Sequence, residues 1–138
     1  MKKSFSYLCL VILLGTGWLQ GCTTDSSADS DPVNAREAFL GRWNVSETWT
    51  KLSYEVTITA DPNSERGVFI YNFANTGSGS IPAGASVSGS VITLDPDQVI
   101  GEGWTINGSG NYSNSKIQWG YTLIDGATRI DAIATYSR

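Results

Sequence analysis

The stretch Gly41-Arg42-Trp43-Asn44-Val45-Ser46-Glu47-Thr48-Trp49 decides the fold. Trp43, Val45, Glu47 and Trp49 alternate with Asn44, Ser46 and Thr48. Side chains of a strand point to opposite faces in turn, so this period of two predicts a half-buried strand. Just before it, Asn34 and Glu37 stand at capping-box spacing and predict one short helical turn over residues 34–40. That turn directs Ala38, Phe39 and Leu40 toward a core. From Gly41 onward no stretch sustains a helical period.

Seven further strands follow at short intervals. Tyr54, Val56 and Ile58 alternate with Glu55, Thr57 and Thr59. Val68 to Phe73 is apolar on both faces, Ile81 to Ser88 is rich in small residues, and Val91 to Leu94 is short. Trp104, Ile106 and Tyr112 share one parity, with Gly108 and Gly110 between them. Ile117, Trp119, Tyr121 and Leu123 share another, and Ile130, Ala132, Ala134 and Tyr136 close the chain. Turn chemistry separates the runs at Asp61-Pro62-Asn63, Asn75-Thr76-Gly77, Asp95-Pro96-Asp97, Asn114-Ser115 and Asp125-Gly126. Sequential tight hairpins favour an up-and-down antiparallel meander. Closing it into a small eight-stranded barrel removes the exposed edges.

The N-terminus carries a different message. Lys2 and Lys3 precede an apolar run from Leu8 to Leu14, and Leu19-Gln20-Gly21-Cys22 follows. The run falls short of the roughly 20 apolar residues that a membrane span needs. An aliphatic residue three before the cysteine and a small residue just before it resemble the lipobox of a bacterial lipoprotein. The resemblance implies a diacylglycerol thioether on Cys22 and removal of residues 1–21. Residues 22–33, a Ser/Asp/Thr segment, then form a lipidated tether, and residues 34–138 the barrel domain. The expected address is the bacterial cell envelope, most simply the outer membrane, with the face left open.

Composition narrows the function further. The whole chain has a net charge of −4. Removal of residues 1–21 takes Lys2 and Lys3 away, leaving 7 basic against 13 acidic side chains and a charge of −6. No basic cluster remains, which argues against nucleic acid as a partner. The chain has no His, and Cys9 would leave with the signal segment. With Cys22 acylated, neither a disulfide nor thiol catalysis is available, and no cofactor or metal is expected.

Three segments in order carry a second resemblance: Gly41-Arg42-Trp43-Asn44-Val45, Tyr54-Glu55-Val56-Thr57-Ile58 and Asn72-Phe73. The chain from about residue 37 resembles lipocalin-like (calycin) barrels, and more narrowly the small lipocalin-like lipoproteins of Gram-negative bacteria. That resemblance implies that Gly41 opens the first strand, that Trp43 plugs the closed end, and that an Arg of the last strand stacks across it. Arg138 is the candidate, because in a closed meander the end of the last strand lies beside the start of the first. Short strands imply a cavity that is small or filled by side chains.

By parity Glu47 points inward with Trp43 and Val45, and Glu102 shares the parity of Trp104 and Ile106. Both carboxylates are therefore expected to face the barrel interior. The favoured reading is a rim residue or a buried Glu satisfied by Arg or by Tyr hydroxyls; the functional one is a polar anchor of a pocket or a general acid raised by burial. Trp104, Trp119 and Tyr121 are the candidate aromatic platform for a sugar ring or an apolar ligand, although such residues more often fill the core of a small barrel, and Trp49 joins them as a candidate pocket residue. If Val68 to Phe73 is one strand, Phe69, Tyr71 and Phe73 form an exposed stripe. The expected function is a membrane-anchored envelope lipoprotein that binds a small apolar or glycan ligand without catalysis. A filled barrel acting as an interaction or inhibitor module for an envelope protein is the alternative. A carboxylate-dependent hydrolase is the third.

Overall fold

The computed structural model describes residues 32–138. Cys22, the lipobox and most of the tether lie outside the described residues. Helix α1 spans Pro32–Glu37 and is followed by β1 (Gly41–Glu47), β2 (Ser53–Ala60) and β3 (Gly67–Tyr71). A single 3-10 turn covers Phe73–Asn75. Then come β4 (Ala83–Ser88), β5 (Val91–Leu94), β6 (Gln98–Ile100), β7 (Trp104–Ser113), β8 (Lys116–Asp125) and β9 (Thr128–Ser137). Helix α1 starts at Pro32, not after an Asn34 cap. Proline is pre-set for a first helical position, since its missing N–H would have no partner there.

All the pairings are antiparallel. β1 pairs with β2 from Gly41↔Ile58 to Ser46↔Ser53, and with β9 from Asn44↔Ser137 to Glu47↔Ala134. β5 pairs with β7 through Val91↔Asn111. The ring β1-β2-β3-β4-β5-β7-β8-β9 is therefore a closed eight-stranded barrel, and β6 is an extra strand beside the first half of β7. The all-β meander barrel expected from the sequence is present, with one strand more than the eight foreseen.

The extra strand has a local cause. β5 ends at Leu94, but β7 continues down to Trp104 and needs a partner there. The Asp95-Pro96-Asp97 turn, with Asp97 at φ 56°, restarts the chain as β6. Gln98 then repairs the seam with β4. Its Oε1 accepts from the Gly84 N–H at 2.7 Å, and its Nε2 donates to Gly84 O at 2.7 Å and to Asp95 O at 3.0 Å. One carboxamide thus supplies both bonds of a missing ladder rung.

The inward faces fill the barrel. Trp43, Trp119, Tyr136, Phe39 and Phe73 are the largest fully buried side chains. Small residues opposite large ones make this possible. Gly110 and Ala134 flank Trp119 in register, and Gly108 and Ala132 flank Tyr121. A Cβ at Gly110 would lie 2.8 Å from Ile117 and 2.9 Å from the Trp119 ring. The two glycines in β7 are the space into which the β8 aromatics fit.

Two strand ends differ from expectation. β3 stops at Tyr71, because Asn72 takes a left-handed conformation (φ 62°) and Ala74 and Asn75 also have positive φ. The Asn72 side chain holds this reversal, donating to Glu55 O at 2.8 Å and accepting from the Gly77 N–H at 2.8 Å. Phe73 is thereby turned into the barrel and buried, not displayed in an exposed stripe. Only Phe69 and Tyr71 of that trio face outward, half-buried and 37% exposed respectively. Likewise β4 begins at Ala83, leaving Ile81 on a loop and 70% exposed.

Candidate functional site

β1 runs from one barrel end at Gly41 to the other at Glu47, and the two ends differ in chemistry. At the Gly41 end, α1 and the residues after it form a lid. Phe39 is fully buried and meets Tyr112 at 5.5 Å between ring centroids. Trp43 donates from Nε1 to Phe39 O at 2.7 Å and meets the Tyr112 ring edge-on at 6.3 Å. The guanidinium of Arg138 stands over the Trp43 ring, its Cζ 4.2 Å from the centroid. It also donates from Nη1 to Leu40 O at 2.8 Å and from Nη2 to Ala38 O at 2.9 Å. Gly41, at φ 108°, packs against that guanidinium. These residues plug this end of the barrel.

The middle of the barrel is aromatic. Phe73 meets Trp119 at 5.5 Å and Tyr121 at 4.9 Å, and Trp119 meets Tyr136 at 5.7 Å. Trp119 and Tyr121 are thus core side chains under Phe73, not a platform open to solvent. Among the described residues, no group bonds the Trp119 Nε1 or the hydroxyls of Tyr121 and Tyr136, although all three atoms are buried.

Glu47 sits where this core gives way to the open end. It is 4% exposed, as its parity predicts. Tyr54 donates from its hydroxyl to Oε1 at 3.1 Å, and Thr50 donates from Oγ1 to Oε2 at 3.0 Å. Burial pushes the Glu47 carboxyl above its ordinary value, and hydrogen bonds from Thr50, Tyr54 and Trp49 oppose that shift. The Tyr54 phenol is raised by burial first and then by the nearby Glu47 charge. The Tyr136 phenol is raised by burial first and then by the neighbouring Tyr54 and Glu47. Glu47 thus holds the β1–β2 turn from inside and belongs to a buried polar cluster.

Trp49 and Glu102 are not inside. β1 ends at Glu47, so the alternation that would bury Trp49 stops two residues early, and Trp49 is 41% exposed on the β1–β2 loop. Glu102 precedes β7 on a turn and is exposed, because strand parity does not extend beyond the strand. Trp104, the first residue of β7, is half-buried.

These three residues nevertheless meet. A pocket of about 330 Å³ at the open end is lined by Trp49, Glu102, Trp104, Leu123 and the turn residues Ala74, Asn75, Thr76 and Gly101. The β1–β2, β3–β4 and β6–β7 connections supply most of its wall. Two of those connections touch closely. A Cβ on Gly101 would lie 2.8 Å from Thr76 Cγ2, and Gly101 has φ 55°, so glycine is required there. Phe73, one residue before Ala74, packs against Trp119 and Tyr121 in the core. Glu47 does not line this pocket, so the two carboxylates do not face each other across one cleft.

Sequence reading missed the contribution of Ala74, Asn75 and Thr76. The available signal was the density of turn residues in Asn72-Phe73-Ala74-Asn75-Thr76-Gly77, which marks a structured turn rather than a strand end. Among the described residues, no group of three or more carboxylate, thiol or imidazole side chains converges to hold a metal ion. Comparison with family models, curated proteins and solved structures gives no match, so the reading of this site rests on its own geometry.

Proposed function

We propose that this chain is a lipid-anchored envelope protein that takes a small ligand at the open end of its barrel, without catalysis. The observation that carries this reading is the pocket that gathers Trp49, Glu102 and Trp104 from separate loops. Concave sites that mix indole faces with a few polar groups are the usual form of a ligand site. The packed interior supports a rim-bound ligand over one swallowed by the barrel, so a long acyl chain has no place to go. Two separated carboxylates, with Glu47 already bonded to Thr50 and Tyr54, support binding over hydrolysis.

Anchoring through Cys22 is compatible with a free pocket. The described chain begins at α1, whose Arg36 donates from Nη1 to Ser64 O at 2.6 Å in the β2–β3 connection at the plugged end. A tether leaving there joins the barrel at the end opposite the pocket, so attachment does not occupy the pocket end. Resemblance to small lipocalin-like lipoproteins supports the same assignment, with the outer membrane as the favoured site.

A second reading has its own observation. The aromatic core fills the barrel, which favours a filled module that binds an envelope protein through its surface. Exposed Leu52, Ile81 and Ile133 suit such a role. Native mass spectrometry of the full chain purified from its own host separates the two. A retained small molecule supports the ligand reading; a consistently bare chain overturns it in favour of the second.

A further inference from the structure

Among the described residues, the open-end pocket is lined by two indoles and a carboxylate and by no positively charged side chain. Trp49, Trp104 and Glu102 line it, and neither Lys nor Arg does. Among the described residues, Arg138 over Trp43 is the one cation placed on an aromatic face, and it lies at the opposite end of the barrel. Among the same residues the ion pairs are Arg42 with Glu55 and Arg129 with Asp131, so Glu102 has no charged partner.

Ligand classes can be weighed against this lining. An anion would meet Glu102 and find no compensating cation. A hydrocarbon would pack on the indoles and Leu123 but make no use of Glu102, and the packed core leaves a long tail no room inside the barrel. A neutral sugar would stack on an indole and donate hydroxyls to Glu102, without the charge pairing and cation–π attraction that a cation gains. A compact organic cation satisfies every part of the wall. Its charge is attracted to the faces of the two indoles, and Glu102 neutralises it. The net negative charge of the chain, −6 once residues 1–21 are removed, favours its approach.

We propose that this pocket binds a small alkylated ammonium ion against Trp49 and Trp104, with Glu102 as its counter-charge. The proposal rests on the reading above that the open-end pocket is a ligand site. It gives the pocket the recognition chemistry that Arg138 and Trp43 already use at the plugged end, with the cation supplied from outside.

Isothermal titration of the full chain in a non-ionic detergent tests it with three probes. Choline carries the charge, 3,3-dimethylbutan-1-ol has the same shape without it, and glucose is a neutral ring. Choline is expected to bind about tenfold or more tightly than its neutral isostere, and its affinity should fall as salt rises. Glu102→Gln should weaken choline several-fold and leave the isostere unchanged. Trp49→Ala, on an exposed loop, should weaken choline without loss of folding. Equal affinity for choline and its isostere, or tighter binding of glucose, overturns the cation and leaves the ligand site standing. If none of the three binds, the cation proposal falls, whereas the ligand-site reading falls only if the host-purified chain is also bare.

Discussion

Arg138→Ala should cost the barrel about 2 kcal/mol of stability. The guanidinium makes two hydrogen bonds, to Leu40 O at 2.8 Å and Ala38 O at 2.9 Å. Each contributes roughly 0.5–1 kcal/mol net at a partly solvated site. Stacking over Trp43 at 4.2 Å adds about 0.5–1 kcal/mol for a cation that remains exposed. For a domain of this size the loss corresponds to a Tm about 8 °C lower. Arg138→Lys keeps the charge but not the planar fork, so about half of the loss should remain. Arg42→Ala is the control. Its guanidinium lies 4.0 Å from Glu55 with both side chains exposed, so the change should stay within about 0.5 kcal/mol. Urea unfolding monitored by Trp fluorescence gives all three values. If Arg138→Ala behaves like Arg42→Ala, the lid is held by burial of Phe39 and Trp43 alone, and the role assigned to Arg138 is wrong.

Other substitutions probe the rest of the fold. Gly110→Ala places a Cβ within 2.9 Å of Ile117 and Trp119 and should destabilise by about 1–3 kcal/mol in the same unfolding assay. Gln98→Ala removes three hydrogen bonds at the β4–β6 seam, and hydrogen exchange at the Gly84 amide should accelerate more than at β8 amides. Glu47 tests the electrostatics. Burial raises its carboxyl in the folded state, so between the ordinary carboxyl value and the raised one the folded chain holds more protons than the unfolded chain. Stability contributed by this site therefore falls as pH rises through that window. Glu47→Gln should flatten that slope relative to wild type, and parallel pH–stability curves would sink the assignment.

The barrel was legible because alternation survives wherever a strand has one wet face. β1, β7 and β8 announce themselves through Trp43/Val45/Glu47, Trp104/Ile106 and Ile117/Trp119/Tyr121. Glu47 was legible for the same reason. What failed was extrapolation of parity past strand ends. Trp49 and Glu102 each lie just outside a strand, where loop geometry decides direction. Phe73 was misread because an apolar run does not reveal that Asn72 reverses the chain. β6 was missed because three residues after a proline turn carry too little periodicity. Its need is set by the length of β7, a tertiary fact. The pocket escaped for the same reason, since it is assembled from three loops far apart in sequence.

The four tryptophans of the described fold report on the central claim, that ligand is taken at the rim and not inside the barrel. Trp43 is in the plug, Trp119 is in the core, and Trp49 and Trp104 are at the rim. Assigned indole Nε1–H resonances of the full chain can be followed during titration with the small-molecule fraction of its own host. Shifts confined to Trp49 and Trp104 are the predicted result. Shifts at Trp119 or Trp43, with the rim pair silent, would place the ligand in the interior and contradict the account.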